Sequence, residues 1–389
     1  MKIVNTKKTP VYRDTGFYLE NNKKTISAFS EETNHPHNPT NYIYSRYRNP
    51  TIVSVENQLK KIEDANWAIL TQSGMSAIDV ALSIFQHKSN KNKWMFFNDI
   101  YGGTNTYIDE ILVNRRGIEI KRFYSENNTY NYQKLINQLD EFKPELLYFE
   151  TISNPMLIIA DGQKIIHEAK KREITVIIDN TFASPYLWKP LMHGADLVIH
   201  SATKYLAGHG NITAGVVCGN SNKLMQKAIE YRKLVGHMIS PDDAYRLGDQ
   251  LQTFNLRFSK QSTNAKKLAD FLNKSPMVNK VFYPGLENHP THAEASQLFN
   301  GKGYGAMITF QLAGENNVQK RKRCDLFIEK ISDYFHLIPT LGDVETIFLP
   351  VDAVWADKYP FPGTIRLSVG IEDYDYLENI FSDILNQLS

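Results

Sequence analysis

Cysteine is scarce in this chain. Two residues in 389, Cys218 and Cys324, supply neither a disulfide framework nor the paired spacing of a zinc site. Cys218 lies in the apolar run Ala214 to Cys218 and reads as core. An excess of one charge is also missing. Lys and Arg number 44 against 42 Asp and Glu, and the net +2 implies no polyanionic partner and no nucleic acid. No apolar run approaches the ~20 residues of a membrane helix. The first ten residues are polar and lysine-bearing, so a cytoplasmic protein without a membrane partner is expected. The patterns GxxxxGK and GxGxxG are absent, which argues against a nucleoside triphosphate or a dinucleotide. No internal repeat stands out. With 42% hydrophobic residues, the chain can still bury a large core across two or three domains.

Residues 1–52 lack periodicity and read as an extended N-terminal arm making inter-subunit contacts. Residues 53–240 alternate strand and helix. Helical spacing spans Ser54 to Ala65, Tyr132 to Phe142 and Ile165 to Lys171. Short apolar strands are expected at 67–70, 94–97, 118–123, 145–149, 175–178 and 195–199. This α/β alternation predicts a mostly parallel sheet flanked by helices, with a ligand at the carboxyl ends of the strands. Residues 241–389 lose the alternation and read as a smaller C-terminal α+β domain, opened by one long helix from Asp242 to Phe258. His289-Pro290-Thr291-His292 reads as a surface turn rather than a metal pair, and no metal site is expected. Lys320 to Arg323 reads as the solvated start of a helix.

Polar residues collect at the strand ends. The strand ending at Ile199 runs into His200-Ser201-Ala202-Thr203-Lys204, where a desolvated amine is flanked by two hydroxyls. A lysine so placed either snorkels to the sheet edge or bonds a carbonyl cofactor covalently beside a phosphate. Thr71-Gln72-Ser73-Gly74-Met75 joins a strand to a helix, the geometry of a single-anion site. Tyr101, ahead of Gly102-Gly103, can lay its ring on a flat ligand. Asp179 ends a buried run and needs a cation such as a protonated pyridine nitrogen. Arg366, within the strand Thr364 to Val369, needs an anion such as a substrate carboxylate. Tyr44 and Arg46 form either a phosphate clamp or a stacked surface loop.

As an ordered set these motifs resemble the transsulfuration enzymes of cysteine and methionine metabolism, including cystathionine γ-synthase, the cystathionine lyases and methionine γ-lyase. The resemblance runs from about Pro10 to the C-terminus. It implies the fold type I of PLP-dependent transferases and the cofactor pyridoxal 5'-phosphate (PLP). It assigns catalysis to Lys204 and Tyr101. The phosphate falls to Ser201, Thr203, Gly74 and Met75. Tyr44 and Arg46 reach the cofactor of an adjacent subunit, within a dimer of dimers. Asp179 pairs with the ring nitrogen, and Glu150 and Asn154 sit near the ring edge. Arg366, Thr340 and Asn154 bind a small amino-acid substrate. The implied reaction is γ-replacement or γ-elimination on an O-acylhomoserine or a sulfur amino acid. A methionine γ-lyase or a cystathionine β-lyase is the nearest alternative. A non-catalytic PLP-binding protein is the alternative of another class.

Several positions depart from the family pattern. Thr106 stands where cystathionine-handling members carry an arginine for the distal carboxylate. Pro339 to Asp343 replaces a segment that often carries a glutamate. Gly103 stands where methionine γ-lyases usually have cysteine. Gly208 to Asn211 lacks the usual Ser-Asp, and Leu349 to Pro362 replaces a His-containing stretch. The cofactor machinery is expected to be intact and the substrate pocket atypical.

Overall fold

The computed structural model describes residues 6–32, 39, 41–86, 92–355 and 361–388. Parts of the arm (residues 1–5, 33–38 and 40) and of the 349–362 segment lie outside them.

The larger sheet contains β1 (Trp67–Thr71), β2 (Lys93–Phe97), β3 (Glu119–Phe123), β4 (Leu146–Glu150), β5 (Thr175–Asp179), β6 (Leu197–His200) and β7 (Gly215–Gly219). Their order across the sheet is β1-β7-β6-β5-β4-β2-β3. The run β6-β5-β4-β2-β3 is parallel. β7 is antiparallel to both of its neighbours, so the sheet is mostly rather than wholly parallel. β1, β4, β6 and β7 are buried along their whole length, because helices cover both faces. Their near-continuous apolar sequences follow from that double cover.

The second sheet has β8 (Val278–Phe282), β9 (Met307–Leu312), β10 (His336–Leu337), β11 (Ile347–Pro350) and β12 (Thr364–Ser368), in the order β10-β11-β12-β9-β8. All of its pairings are antiparallel except β10 with β11. Each sheet has its own apolar core. Phe254 and Phe258 join the first, and Leu268 and Leu272 join the second. The helix Phe254–Lys274 thus starts in one core and ends in the other.

Three local expectations need correction. The long helix from Asp242 is broken: one helix spans Pro241–Gln250, a tight turn follows at Leu251–Thr253, and the next helix starts at Phe254. Side chains occupy the carbonyl of Gln250, which accepts from Arg257 Nη2 at 3.0 Å and Thr253 Oγ1 at 3.2 Å. The arm is not extended throughout, since Asn22–Glu31 is a helix capped by Asn21. Only Ala28 of that helix is buried within the chain, while Ile26 and Phe29 are exposed. His289 and Thr291 of the expected surface turn are buried, with Thr291 Oγ1 accepting from the Ile159 amide at 3.0 Å, while Pro290 is exposed. Burial lowers the His289 imidazole to about 4, which keeps it neutral. Among the described residues no cluster of three or more His, Cys, Asp or Glu is arranged to hold a metal ion. No described helix is long and apolar enough to cross a membrane.

Candidate active site

A cavity of about 240 Å³ opens at the carboxyl ends of β4, β5 and β6. The topology explains its place. β4 delivers Glu150 and, beyond it, Asn154; β5 delivers Asp179; β6 leads to Ser201, Thr203 and Lys204. The turn after β1 supplies Gly74 and Met75, and β12 of the second sheet supplies Arg366. All these residues line the cavity together with Tyr101 and Thr340.

Lys204 is held by a residue 136 positions away. Its Nζ donates to Thr340 Oγ1 at 2.7 Å. Burial, followed by the Arg366 charge, brings the Lys204 ammonium down to about 8. Arg366 bridges the same segment to the other wall. Its Nη1 donates to Asn154 Oδ1 at 3.1 Å and its Nη2 to the Thr340 carbonyl at 3.2 Å. Burial lowers the Arg366 guanidinium to about 10, still cationic at neutral pH.

Asp179 accepts from the Thr181 amide at 2.9 Å and from the Tyr148 hydroxyl at 3.4 Å. Burial pushes its carboxyl up, the environment of an anion short of a cation. Tyr101 precedes the helix Gly102–Tyr107, and its amide donates to Glu150 Oε1 at 2.6 Å.

The phosphate end is a helix N-terminus. Ser73 caps the helix Gly74–Ser83 by accepting from the Ser76 amide at 3.1 Å. Gly74 lies so close to Ser201 that an added Cβ would stand 2.9 Å from Ser201 Oγ. The two segments thus form a tight cradle of amides and hydroxyls suited to one small anion. Thr203 lines the cavity as well. Its hydroxyl donates to the Ala214 carbonyl at 3.1 Å and accepts from the Ala214 amide at 2.9 Å, so its proton is already engaged.

Tyr44 and Arg46 are not in this cavity. Arg46 Nη1 donates to the Lys233 carbonyl at 2.7 Å, and its guanidinium lies over the rings of Tyr44 and Tyr47. Sequence reasoning missed the supports behind Lys204. Arg257 donates to the carbonyls of Tyr205 and Leu206 at 3.0 and 3.1 Å, fixing the turn. An arginine inside an otherwise buried helix face was the available signal.

An anion cradle, a desolvated amine, a buried carboxylate lacking a cation and a ring-bearing loop fit pyridoxal phosphate. The comparisons agree. The model of the family described as Cys/Met metabolism PLP-dependent enzyme matches residues 2–388. The chain belongs to this family. It is a PLP-dependent enzyme. A cystathionine beta-lyase of Lactococcus lactis subsp. cremoris is 36% identical over 361 residues, covering 90% of this chain and 89% of its own. An L-methionine gamma-lyase of Fusobacterium nucleatum subsp. polymorphum is 33% identical over 391 residues, covering 96% and 91%. A solved structure of cystathionine gamma synthase from Xanthomonas oryzae pv. oryzae, in complex with cystathionine, superposes with a TM-score of 0.85. It is 29% identical and covers 98% of this chain and 93% of its own. The fold is thus that of the PLP-dependent cystathionine synthases and lyases, in keeping with the fold type that the motifs imply.

Proposed function

We propose that this member of the family catalyses elimination or replacement at Cγ of a homoserine-type or sulfur amino acid with an uncharged side chain. One observation carries the reading. Lys204 Nζ and the Arg366 guanidinium face one cavity and are tied to the same residue, Thr340, through its hydroxyl and its carbonyl. Arg366 holds the substrate α-carboxylate, and this sets the α-hydrogen before Lys204, whose lowered pKa suits it to remove and return a proton. Asp179 holds the ring nitrogen protonated, and Ser201 with the Gly74 and Met75 amides holds the phosphate. When bound, pyridoxal phosphate supplies the electron-accepting ring.

The lining of the cavity supports an uncharged substrate. Ile152, Phe182, Pro339 and Leu341 belong to it, and Lys204 and Arg366 are its only cations among the described residues. Thr106 is turned away, its hydroxyl donating to the Gly102 carbonyl at 3.1 Å. A distal carboxylate finds no further cation from this chain there, and its desolvation goes uncompensated by these residues. The identity with cystathionine beta-lyases favours a second reading, C–S cleavage at Cβ.

Tyr44 and Arg46 lie outside their own cavity, and we assign them to the cofactor phosphate of a second copy of the chain. A dimer is then the smallest complete unit.

The test is a substrate panel of methionine, O-acetylhomoserine, O-succinylhomoserine, cystathionine and cysteine, with and without an added thiol. Methionine or O-acetylhomoserine yielding 2-oxobutanoate faster than the two-carboxylate substrates is expected. Pyruvate from cystathionine as the dominant product replaces the Cγ reading with the Cβ one.

A further inference from the structure

Glu150 and Asp179 end neighbouring parallel strands and are direct register partners. Both are more than nine-tenths buried and both line the cavity. Two carboxylates in such proximity, away from water, do not both ionise readily; the pair retains a proton. The question is which partner keeps it.

Their surroundings differ. Asp179 accepts the Thr181 amide and faces the Tyr148 hydroxyl, and the nearby His200 favours its charge. On the cofactor reading it also receives the ring-nitrogen cation. Glu150 receives a single backbone amide, that of Tyr101, on Oε1 at 2.6 Å. The charges that bear on Glu150 are Asp179 and Asp99, both acids, and Tyr148 from its own strand is a buried phenol. The cavity cations are committed elsewhere, Lys204 to Thr340 and Arg366 to Asn154 and Thr340. Burial and the Asp179 charge both act to keep the Glu150 carboxyl protonated.

We propose that Glu150 functions as a neutral carboxyl and a positioning residue. Its Oε1 accepts the Tyr101 amide and so fixes the ring-bearing loop, its Oε2 keeps the proton, and Asp179 is left as the single negative charge beneath the cofactor ring. This rests on the cofactor assignment only in its last clause; the protonation state and the hold on Tyr101 stand without it.

The test compares Glu150→Gln and Glu150→Ala with the wild-type holoenzyme. Glutamine reproduces a neutral carboxyl, so kcat/KM of Glu150→Gln should exceed by about tenfold or more that of Glu150→Ala, which loses activity through misplacement of Tyr101. The second readout is stability. A carboxyl protonated when folded and ionised when unfolded lowers stability as pH rises above its ordinary range. The thermal midpoint of Glu150→Gln relative to wild type should therefore rise between about pH 5 and about pH 8. Glutamine as damaging as alanine, or a midpoint difference that is flat or falling with pH, overturns the proposal. Should Glu150→Gln not fold, infrared spectra of wild type carrying carbon-13 glutamate decide. A protonated-carboxyl band at neutral pH that is missing from Glu150→Ala is expected, and a wild-type spectrum identical to that of Glu150→Ala refutes the proposal. Cofactor uptake by wild type, read from visible absorbance, is scored separately, so failure of the cofactor reading leaves the stability and infrared results interpretable.

Discussion

Gly342 lies against the backbone of Lys204. A Cβ at position 342 would stand 2.8 Å from the Lys204 carbonyl carbon and 2.6 Å from the Tyr205 amide nitrogen. Its φ of +84° is also one that side-chain-bearing residues rarely adopt. The same turn is fastened by the Gly342 amide donating to Ser368 Oγ at 2.8 Å and by Gln261 Nε2 donating to the Asp343 carbonyl at 2.6 Å. The segment that presents Thr340 to Lys204 is thereby locked onto the lysine's own backbone. Gly342→Ala is expected to destabilise the protein by about 1–3 kcal/mol through overpacking and strain, and to reduce cofactor retention. Urea unfolding and absorbance after dialysis check this. A variant within about 0.5 kcal/mol of wild type shows that the contact is slack.

Gly103 makes room for the Tyr101 ring. A Cβ there would approach Tyr101 Cε1 to 2.5 Å. Gly103→Ala is expected to rotate the ring away and lower kcat/KM by about tenfold to a hundredfold, with the fold intact. Steady-state kinetics beside circular dichroism provide the check. Unchanged kinetics mean that the ring position does not matter to turnover.

The Lys204 amine is expected to react as a base well below the ordinary lysine range. In protein freed of cofactor, reductive methylation of Lys204, followed by peptide mass spectrometry, should be half-maximal near pH 8 rather than near 10.5. An ammonium with a depressed folded pKa costs stability below about 8, and the cost is relieved as pH rises from about 8 towards 10.5. Lys204→Met should therefore gain more stability over wild type at pH 7 than at pH 10. A Lys204 profile that overlays those of surface lysines contradicts the desolvated site.

Much of the site can be read in the sequence because buried strands end abruptly in polar residues. Glu150, Asp179 and Lys204 each follow an apolar run, and a parallel sheet brings such ends to one edge. Arg366 is legible for the same reason, as a cation inside an apolar strand. What is not legible depends on tertiary partners. The apolar run at β7 says nothing of its direction. The engagement of the Thr203 hydroxyl by Ala214 depends on how the 201–214 loop folds back. The bond from Lys204 to Thr340 joins two segments whose proximity comes from docking the second sheet against the first. The His289 turn looks solvent-facing from its Pro and His content, yet His289 and Thr291 are buried and Thr291 accepts from the Ile159 amide.

The account depends most on Lys204 as the covalent anchor of the cofactor. Borohydride reduction of the protein loaded with pyridoxal phosphate, followed by peptide mapping, tests it directly. The expected result is a pyridoxyl group fixed on Lys204 and on no other lysine, with Lys204→Ala unlabelled. A label on a different lysine, or none on a protein that has taken up the cofactor, contradicts the account.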